Sequence, residues 1–534
     1  MNRDRRVRIY DLHAWAGISL GLFVFVVSFT GCLALFDHEL KTWEDPAKRL
    51  PLPESIAPIH DQFTNWVNNS VNQNKANQQE IRFVSLQYPS HYEPYYLGRL
   101  FVKNESGKSE NYHQRWRADN AETIPERGEG LTTWLLDFHR DLMWPTTLGG
   151  RTAGRTIVGV AGIILLLSII SGVITHRKML QELFTLRVNR SVRLKWKDVH
   201  NILGLWGIPF YTMIAFTGAF LGVVAILVPL TGALIAKGDT EKLRAVIVPP
   251  STEAAHVKAT SFSLDELYQL KVTDTDARPK RVSIVNWSDQ NAIYSVNYPA
   301  DNKLQRTHVV EINGVTGDIL PTPEHLRATA VNRTQGAITP LHYGSFGGIA
   351  VKFLYLMLGL SLCVMIVLGI MVWVERRLNS PVGTKEKKHY LRIGQLTTGM
   401  VFGNVLASVA IFYFDKLYFG GEENRLFYTG ITYFLTWLLT IVYAFSQLNG
   451  YKTTRIFTLN LSLGLFLLPI INYFSTGNLF INQLFEKPTS ADWVDLTFIV
   501  SAIILFLLYK KLPNQRAEEK RKSNKEVGTK LQTQ

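Results

Sequence analysis

Long apolar runs separated by polar stretches of very unequal length set the pattern of this chain. The first run, about residues 14–36, is followed by a polar segment at about 37–150. The second, about 153–175, is followed by a short basic loop, and the third, about 200–236, by a second polar segment at about 237–343. The fourth lies at about 347–374, and four more follow at about 391–414, 426–446, 456–474 and 493–510. A helix needs roughly 20 apolar residues to cross a bilayer, so the pattern predicts eight spans. Pro209 inside the third predicts a kink. Within the polar segments the period changes to alternation. Ile81–Tyr88 (IRFVSLQY), Tyr95–Val102, Arg281–Val285, Ala292–Tyr298 and His308–Ile312 read as strands. Val309–Leu320 (VVEINGVTGDIL) reads as strand, tight turn at Gly314 and Gly317, strand.

Charge supports a topology rather than a polyanion partner. The 534 residues are 47% hydrophobic with a net charge of +14. The basic excess collects in Arg3–Arg8, Arg177–Lys197, Arg376–Arg392 and Lys510–Lys530. These are the loops that the positive-inside rule puts in the cytoplasm, with both termini. Nucleic acid is therefore not an expected partner; membrane lipids are. The two cysteines, Cys32 and Cys363, both lie in apolar runs, which supports neither a disulfide framework nor a thiolate cluster. No Cys-x-x-Cys-His is present, which excludes covalent haem and leaves noncovalent haem open. Phe29-Thr30-Gly31-Cys32 is like a lipoprotein cleavage site. The run continues to Phe36, however, and Phe216-Thr217-Gly218 recurs deep in the third span, so the expectation is an uncleaved first helix. Nucleotide-binding glycine loops, Gly-x-Ser-x-Gly and His-Glu-x-x-His are absent.

The spans also repeat. Aligning His13 on His200 places Gly17 on Gly204 and Phe29-Thr30-Gly31 on Phe216-Thr217-Gly218. At roughly 100° per residue, each histidine shares a helix stripe with a glycine one turn deeper and another five turns deeper. A second repeat pairs Leu136–Gly150 (LDFHRDLMWPTTLGG) with Leu341–Gly348 (LHYGSFGG), each with a histidine outside a Gly-Gly. Gly150, Gly162 and Gly172 match Gly347, Gly359 and Gly369 at one constant offset. The first four spans therefore read as a duplicated four-helix core, a plan that normally places function between the halves.

A histidine facing a bundle interior, with space beside it, suits an iron porphyrin. His13 and His200, at equal depth, are candidate axial ligands of one haem b, and His139 with His342 of a second. His176, at the inner end of the second span, is an alternative partner for His13. The competing readings are an interfacial imidazole for the inner pair, a loop histidine capping a helix for the outer pair, and a basic flank for His176. His38 has no counterpart in the third span. The other histidines sit in polar segments or a basic run, where solvation accounts for them. Trp15, Phe23, Trp206, Phe210 and Phe216 read as packing. Arg8, Arg140, Arg155, Arg177 and Arg193 are placed to meet propionates, but the charge topology explains the cytoplasmic ones equally well.

The basic-x-His-x-x-x-Gly opening, the Phe-His and Leu-His segments before spans two and four, and Val309–Leu320 together resemble the PepSY-associated transmembrane-helix family of bacterial inner-membrane proteins. The resemblance covers about residues 5–378. It implies an iron-regulated membrane protein similar to ferric-siderophore reductases with b-type haems in a four-helix core. The task it implies is moving electrons across the inner membrane to a ferric siderophore or other ferric chelate in the periplasm. The donor is left open between quinol and a cytoplasmic flavoprotein, and the last four spans depart from the family's minimal pattern.

The expected fold is an all-α polytopic membrane protein of eight spans with two α+β periplasmic, PepSY-like domains. Its plan is 1–36 N-terminus and first span, 37–150 first periplasmic domain, 151–178 second span, and 179–236 cytoplasmic loop and third span. The plan continues with 237–343 second periplasmic domain, 344–378 fourth span, 379–511 four additional spans, and 512–534 basic cytoplasmic tail. A permease with rocking halves and a membrane-anchored regulatory protein without redox activity are the rival readings.

Overall fold

The computed structural model describes residues 3–514, apart from 74–79, 91–92, 104–108, 126, 177–178, 188–190, 236–251, 271–276, 300–303, 305–306, 322–329, 382, 448, 478–480 and 482–487. Arg177, His91, His325 and most of the basic tail fall outside the described residues. In chain order the helices and strands are α1 (Arg3–Ala34), α2 (Asp37–Glu44), α3 (His60–Gln73), β1 (Glu80–Gln87), β2 (Tyr95–Lys103), β3 (Ser109–Arg117), β4 (Thr123–Ile124), α4 (Leu131–Asp141), α5 (Gly150–Thr175), α6 (Met179–Glu182) and α7 (Val192–Ile235). There follow α8 (Leu264–Gln269), β5 (Arg281–Val285), β6 (Ile293–Pro299), β7 (Thr307–Asn313), α9 (Ala330–Tyr343), α10 (Gly348–Leu378), α11 (Thr384–Leu417), α12 (Arg425–Ser446), α13 (Gly450–Thr476) and α14 (Ser490–Lys511). Among the described residues, eight helices (α1, α5, α7 and α10–α14) are long and apolar enough to cross a membrane, as the hydropathy pattern predicts. α7 runs unbroken through Pro209.

The chain divides into two compact units. One comprises Met1–Glu44, Gly128–Ala225 and Lys352–Gln534; the other comprises Asp45–Arg127 and Ile226–Val351.

In the helical unit, α1, α5, α7 and α10 share a core of Val24, Ala161, Leu165, Tyr211, Ala215 and Leu362. Small residues let the backbones approach, as membrane helices without a hydrophobic drive require. A Cβ on Gly162 of α5 would lie 2.8 Å from the Ala219 nitrogen of α7. At the matching position of α10, a Cβ on Gly359 would lie 2.5 Å from Cys32 Sγ of α1. A second core joins α1, α2 and α4 to α11–α14 through Trp43, Trp134, Phe138, Phe412, Tyr433 and Leu468. The sequence pattern suggests spans nearly free of charge. Asp415, Lys416, Arg425 and Asp495 are nonetheless buried within 5 residues of their helix ends and paired there.

The second unit is built on one antiparallel sheet in the order β4-β3-β2-β1-β5-β6-β7. β1 pairs with β5, with Val84 opposite Ile284, so strands of both polar segments belong to one sheet. The expectation of two separate α+β domains gives way to one shared domain. Pairing β1 with β5 covers what would be an open edge on each half-sheet. It also merges their apolar faces into one core of Val84, Leu86, Leu100, Val282, Ile284, Tyr294 and Val296, packed by Phe63 of α3 and Leu264 of α8. All five sequence-expected strands appear within about a residue of their bounds. β3 (SENYHQRWR) escapes the pattern because its inner face mixes Tyr112 and Trp116 with the polar Glu110 and Gln114. Val309–Leu320 turns at Gly317 (φ 81°) as expected, but its second strand shrinks to a single bridge, Ile312 to Ile319.

Candidate functional site

α1 and α7 bring His13 and His200 together: the ring centres are 6.4 Å apart, with planes 75° to one another. Both rings are half-buried. His13 Nδ1 lies 3.0 Å from the Ser168 carbonyl and 3.1 Å from Ser171 Oγ, both on α5. His200 Nδ1 lies 2.8 Å from the Met365 carbonyl on α10. Ser168 and Met365 stand at the same offset as the repeated glycines, so each ring makes the same contact with the span that follows it. A carbonyl accepts only from a protonated Nδ1, which fixes the tautomer and leaves the Nε2 lone pair free to bind. Neither Nε2 has a hydrogen-bond partner among the described residues.

The glycines that face these rings are on the returning spans. A Cβ on Gly172 would lie 3.3 Å from His13 Cε1, and one on Gly369 would lie 3.0 Å from His200 Cε1. Gly17 and Gly204, the glycines one turn deeper on each histidine's own stripe, do not touch the rings. A Cβ on Gly17 would meet nothing within 4 Å, and one on Gly204 would meet the flexible Met365 Sδ at 3.3 Å. The signal was present in the sequence, since Gly172 and Gly369 are themselves a repeated pair. The two carbonyls carry no side-chain signature and could not be read.

His139 lies on α4, which lines the end of the bundle where α1 finishes. Its Nδ1 is 3.0 Å from the Val27 carbonyl of α1, and a Cβ on Gly31 would be 2.8 Å from its Cε1. Burial lowers the pKa of this imidazole, partly offset by the Val27 hydrogen bond, so the ring is neutral. His342 ends α9 in the second unit, half-buried, with its ring edge-on to Tyr343 at 5.8 Å. His176 caps α5, and its Nε2 is 3.4 Å from the Glu182 carboxylate. His176 thus faces a carboxylate at the inner end of α5. Among the arginines, Arg140 is engaged by Asp137. Arg155 keeps a buried Nε with no partner among the described residues. Phe23 and Phe210 pack against the four-helix core as expected, whereas Trp15, Trp206 and Phe216 are exposed on the helix surface.

Residues 10–376 match the PepSY-associated TM region, more than half of the chain. The chain belongs to the PepSY-associated TM family. It is a multi-pass membrane protein whose family region takes in α1, α5, α7, most of α10 and the strand-bearing unit. An uncharacterized protein of Pseudomonas aeruginosa is 25% identical over 264 residues, covering 46% of this chain and 64% of that protein. The chain thus spans less than two thirds of that relative's length. Within the family region, the donor set suits a haem. A metal held by one nitrogen of each ring needs ring centres about 6 Å apart, from bonds of about 2 Å plus about 1 Å from nitrogen to centre. The 6.4 Å between His13 and His200 meets that requirement. Among the described residues no three His, Cys, Asp or Glu side chains converge on one point.

Proposed function

We propose that this PepSY-associated TM protein is a di-haem electron-transfer protein of the bacterial inner membrane that reduces ferric chelates, ferric siderophores among them, on the periplasmic side. The observation that carries the reading is the His13–His200 pair. It consists of two tautomer-fixed imidazoles from two spans, at a separation suited to one metal. The equivalent contacts of α1 with α5 and α7 with α10 support a duplicated four-helix core. His139, with its Nδ1 on Val27 and a neutral ring, supports a second site toward the other end of α1. Val27 lies 14 residues beyond His13, which puts the two sites about 20 Å apart along the helix axis.

When bound, b-type haem supplies one-electron redox chemistry. The chain's own residues would hold it: His13 and His200 at one end, and His139 at the other. Ser168, Met365 and Val27 hold the Nδ1 protons so that each ring presents Nε2. The apolar helix faces exclude water between the sites. The acceptor is a ferric chelate, whose hard oxygen ligands hold the ferrous ion less firmly. Quinol or a cytoplasmic flavoprotein is the donor. The permease reading is less well supported, because the buried charges of α11–α14 are paired near helix ends rather than isolated at mid-span.

The test is a dithionite-reduced minus oxidised absorption spectrum of the detergent-purified protein, with haem quantified per chain. Sharp b-type bands at about two haems per chain are expected. A colourless protein made under ample haem supply would overturn the reading.

A further inference from the structure

The last four spans lie beyond the family region, and the two-haem reading assigns them nothing. They hold α4. At its start, the Gly128 N–H donates to Glu422 (3.0 Å) and the Thr132 N–H donates to Glu44 (3.0 Å). Arg425 donates to Glu422 at 2.8 and 2.9 Å and to Asp415 at 3.0 Å. Lys416 donates to the Trp43 and Glu44 carbonyls at 2.8 and 3.1 Å. Gly130 is needed between these groups: a Cβ there would lie 2.6 Å from Glu44 Oε1 and 2.8 Å from Arg425 Cδ.

Along its length, α4 presents Trp134 and Phe138, one turn apart, to Tyr433 of α12, with ring centres at 4.4 and 5.2 Å. Gly430 of α12 leaves room for the indole. Phe138 is followed by His139, roughly 100° further round the helix, and that ring reaches α1. Beyond the end of α4, Leu142 and Met143 both take positive φ, 58° and 52°. Such backbone persists only where its surroundings over-determine it. Both residues pack against the same core.

We propose that α11 and α12 position His139: Arg425 and Tyr433 set the depth and rotation of α4 and thereby the direction of the His139 ring. The inference rests on the reading that His139 holds a haem, and it gives the extra spans a task within that reading. Arg425 and Tyr433 are positioning residues that act through α4.

The experiment compares full-length wild type, Arg425→Gln, Arg425→Lys and Tyr433→Leu by two readouts. Hydrogen exchange follows the amides of Leu131–Asp141 against those of α5, and EPR follows the low-spin haem signals. Arg425→Gln and Tyr433→Leu should each speed exchange in α4 by about tenfold and leave α5 unchanged. They should shift the haem signal that His139→Ala removes and leave the signal that His13→Ala removes. Arg425→Lys should restore part of the protection. Unchanged α4 exchange with an unchanged signal would overturn the proposal, as would equal loss in α4, α5 and both haem signals. In a colourless preparation the haem reading fails on its own. The exchange data still decide whether α11 and α12 hold α4.

Discussion

His13 and His200 enter their site from two spanning helices, and each ring is steadied by a carbonyl of the next span. His139 arrives on an 11-residue helix that crosses nothing, and it depends on a carbonyl of α1 on one side and on α12 on the other. The bilayer fixes the depth of a spanning helix at little further cost. A short helix at the bundle's end has no such anchor, so its depth comes from side chains: Glu44, Glu422 and Arg425 at its start, Asp137 and Arg151 near its finish. The first site can be built from a repeated unit, whereas the second needs partners from four different helices.

The largest effect should come from removing a ring. His13→Ala and His200→Ala should each abolish one haem of two and leave the other, as read by haem per chain and the reduced spectrum. His139→Ala should remove the opposite one. Loss of both from any single substitution would break the division into two independent sites. Next come the glycines that face the rings. Gly369→Val places its Cβ 3.0 Å from His200 Cε1, and Gly31→Val places its own 2.8 Å from His139 Cε1. Overpacking of this kind costs about 1–3 kcal/mol, so each should weaken haem affinity at its own site by about fivefold to about 150-fold. Gly17→Ala, with nothing within 4 Å, should leave both sites intact in the same titration.

Acidity should act on the α4 site through His139. Its pKa lies below 6.5 because burial disfavours the imidazolium. Above pH 6.5 the ring is neutral folded or unfolded, and its contribution to stability is complete. As pH falls below 6.5, the unfolded state takes up a proton that the folded ring refuses, so stability is lost down to the lowered folded value. The loss is at most about 1.4 kcal/mol per pH unit. Protection of the Leu131–Asp141 amides, taken relative to their intrinsic exchange rate at each pH, should fall as pH drops below about 6.5, and His139→Gln should remove that dependence.

The two sites were not equally legible in the chain. The eight spans could be read because apolar runs of about 20 residues leave few alternatives in a bilayer. The proximity of His13 and His200 could be read because the repeated histidine–glycine spacing puts both near the same end of their spans. The sheet was read strand by strand but not as one object, since the β1–β5 pairing joins residues about 200 positions apart and leaves no local mark. α4 was the hardest. Its sequence, LTTWLLDFHRD, reads equally well as a loop helix outside the membrane. What makes it internal is Tyr433, Arg425 and Glu44, each distant in the chain. The carbonyls of Ser168, Met365 and Val27 belong to ordinary apolar stretches and have no sequence signature at all.

The finest difference lies within the His13–His200 pair itself. His13 Nδ1 has two acceptors, the Ser168 carbonyl and Ser171 Oγ, and Ser171 in turn donates to that same carbonyl at 3.0 Å. The equivalent of Ser171 beside His200 is Leu368, so His200 has the carbonyl alone. Ser171→Ala removes one of two acceptors and frees the Ser168 carbonyl to take the Nδ1 proton undivided. A typical net hydrogen bond contributes about 0.5–1.5 kcal/mol, and the remaining carbonyl should recover part of it. The expected change in haem affinity at this site is therefore about twofold to fivefold, measured by competition with a haem-binding apoprotein. The α4 site should not change. Loss of more than about tenfold would mean that Ser171, rather than the repeated carbonyl, sets the direction of His13, and that the two halves hold their rings in different ways.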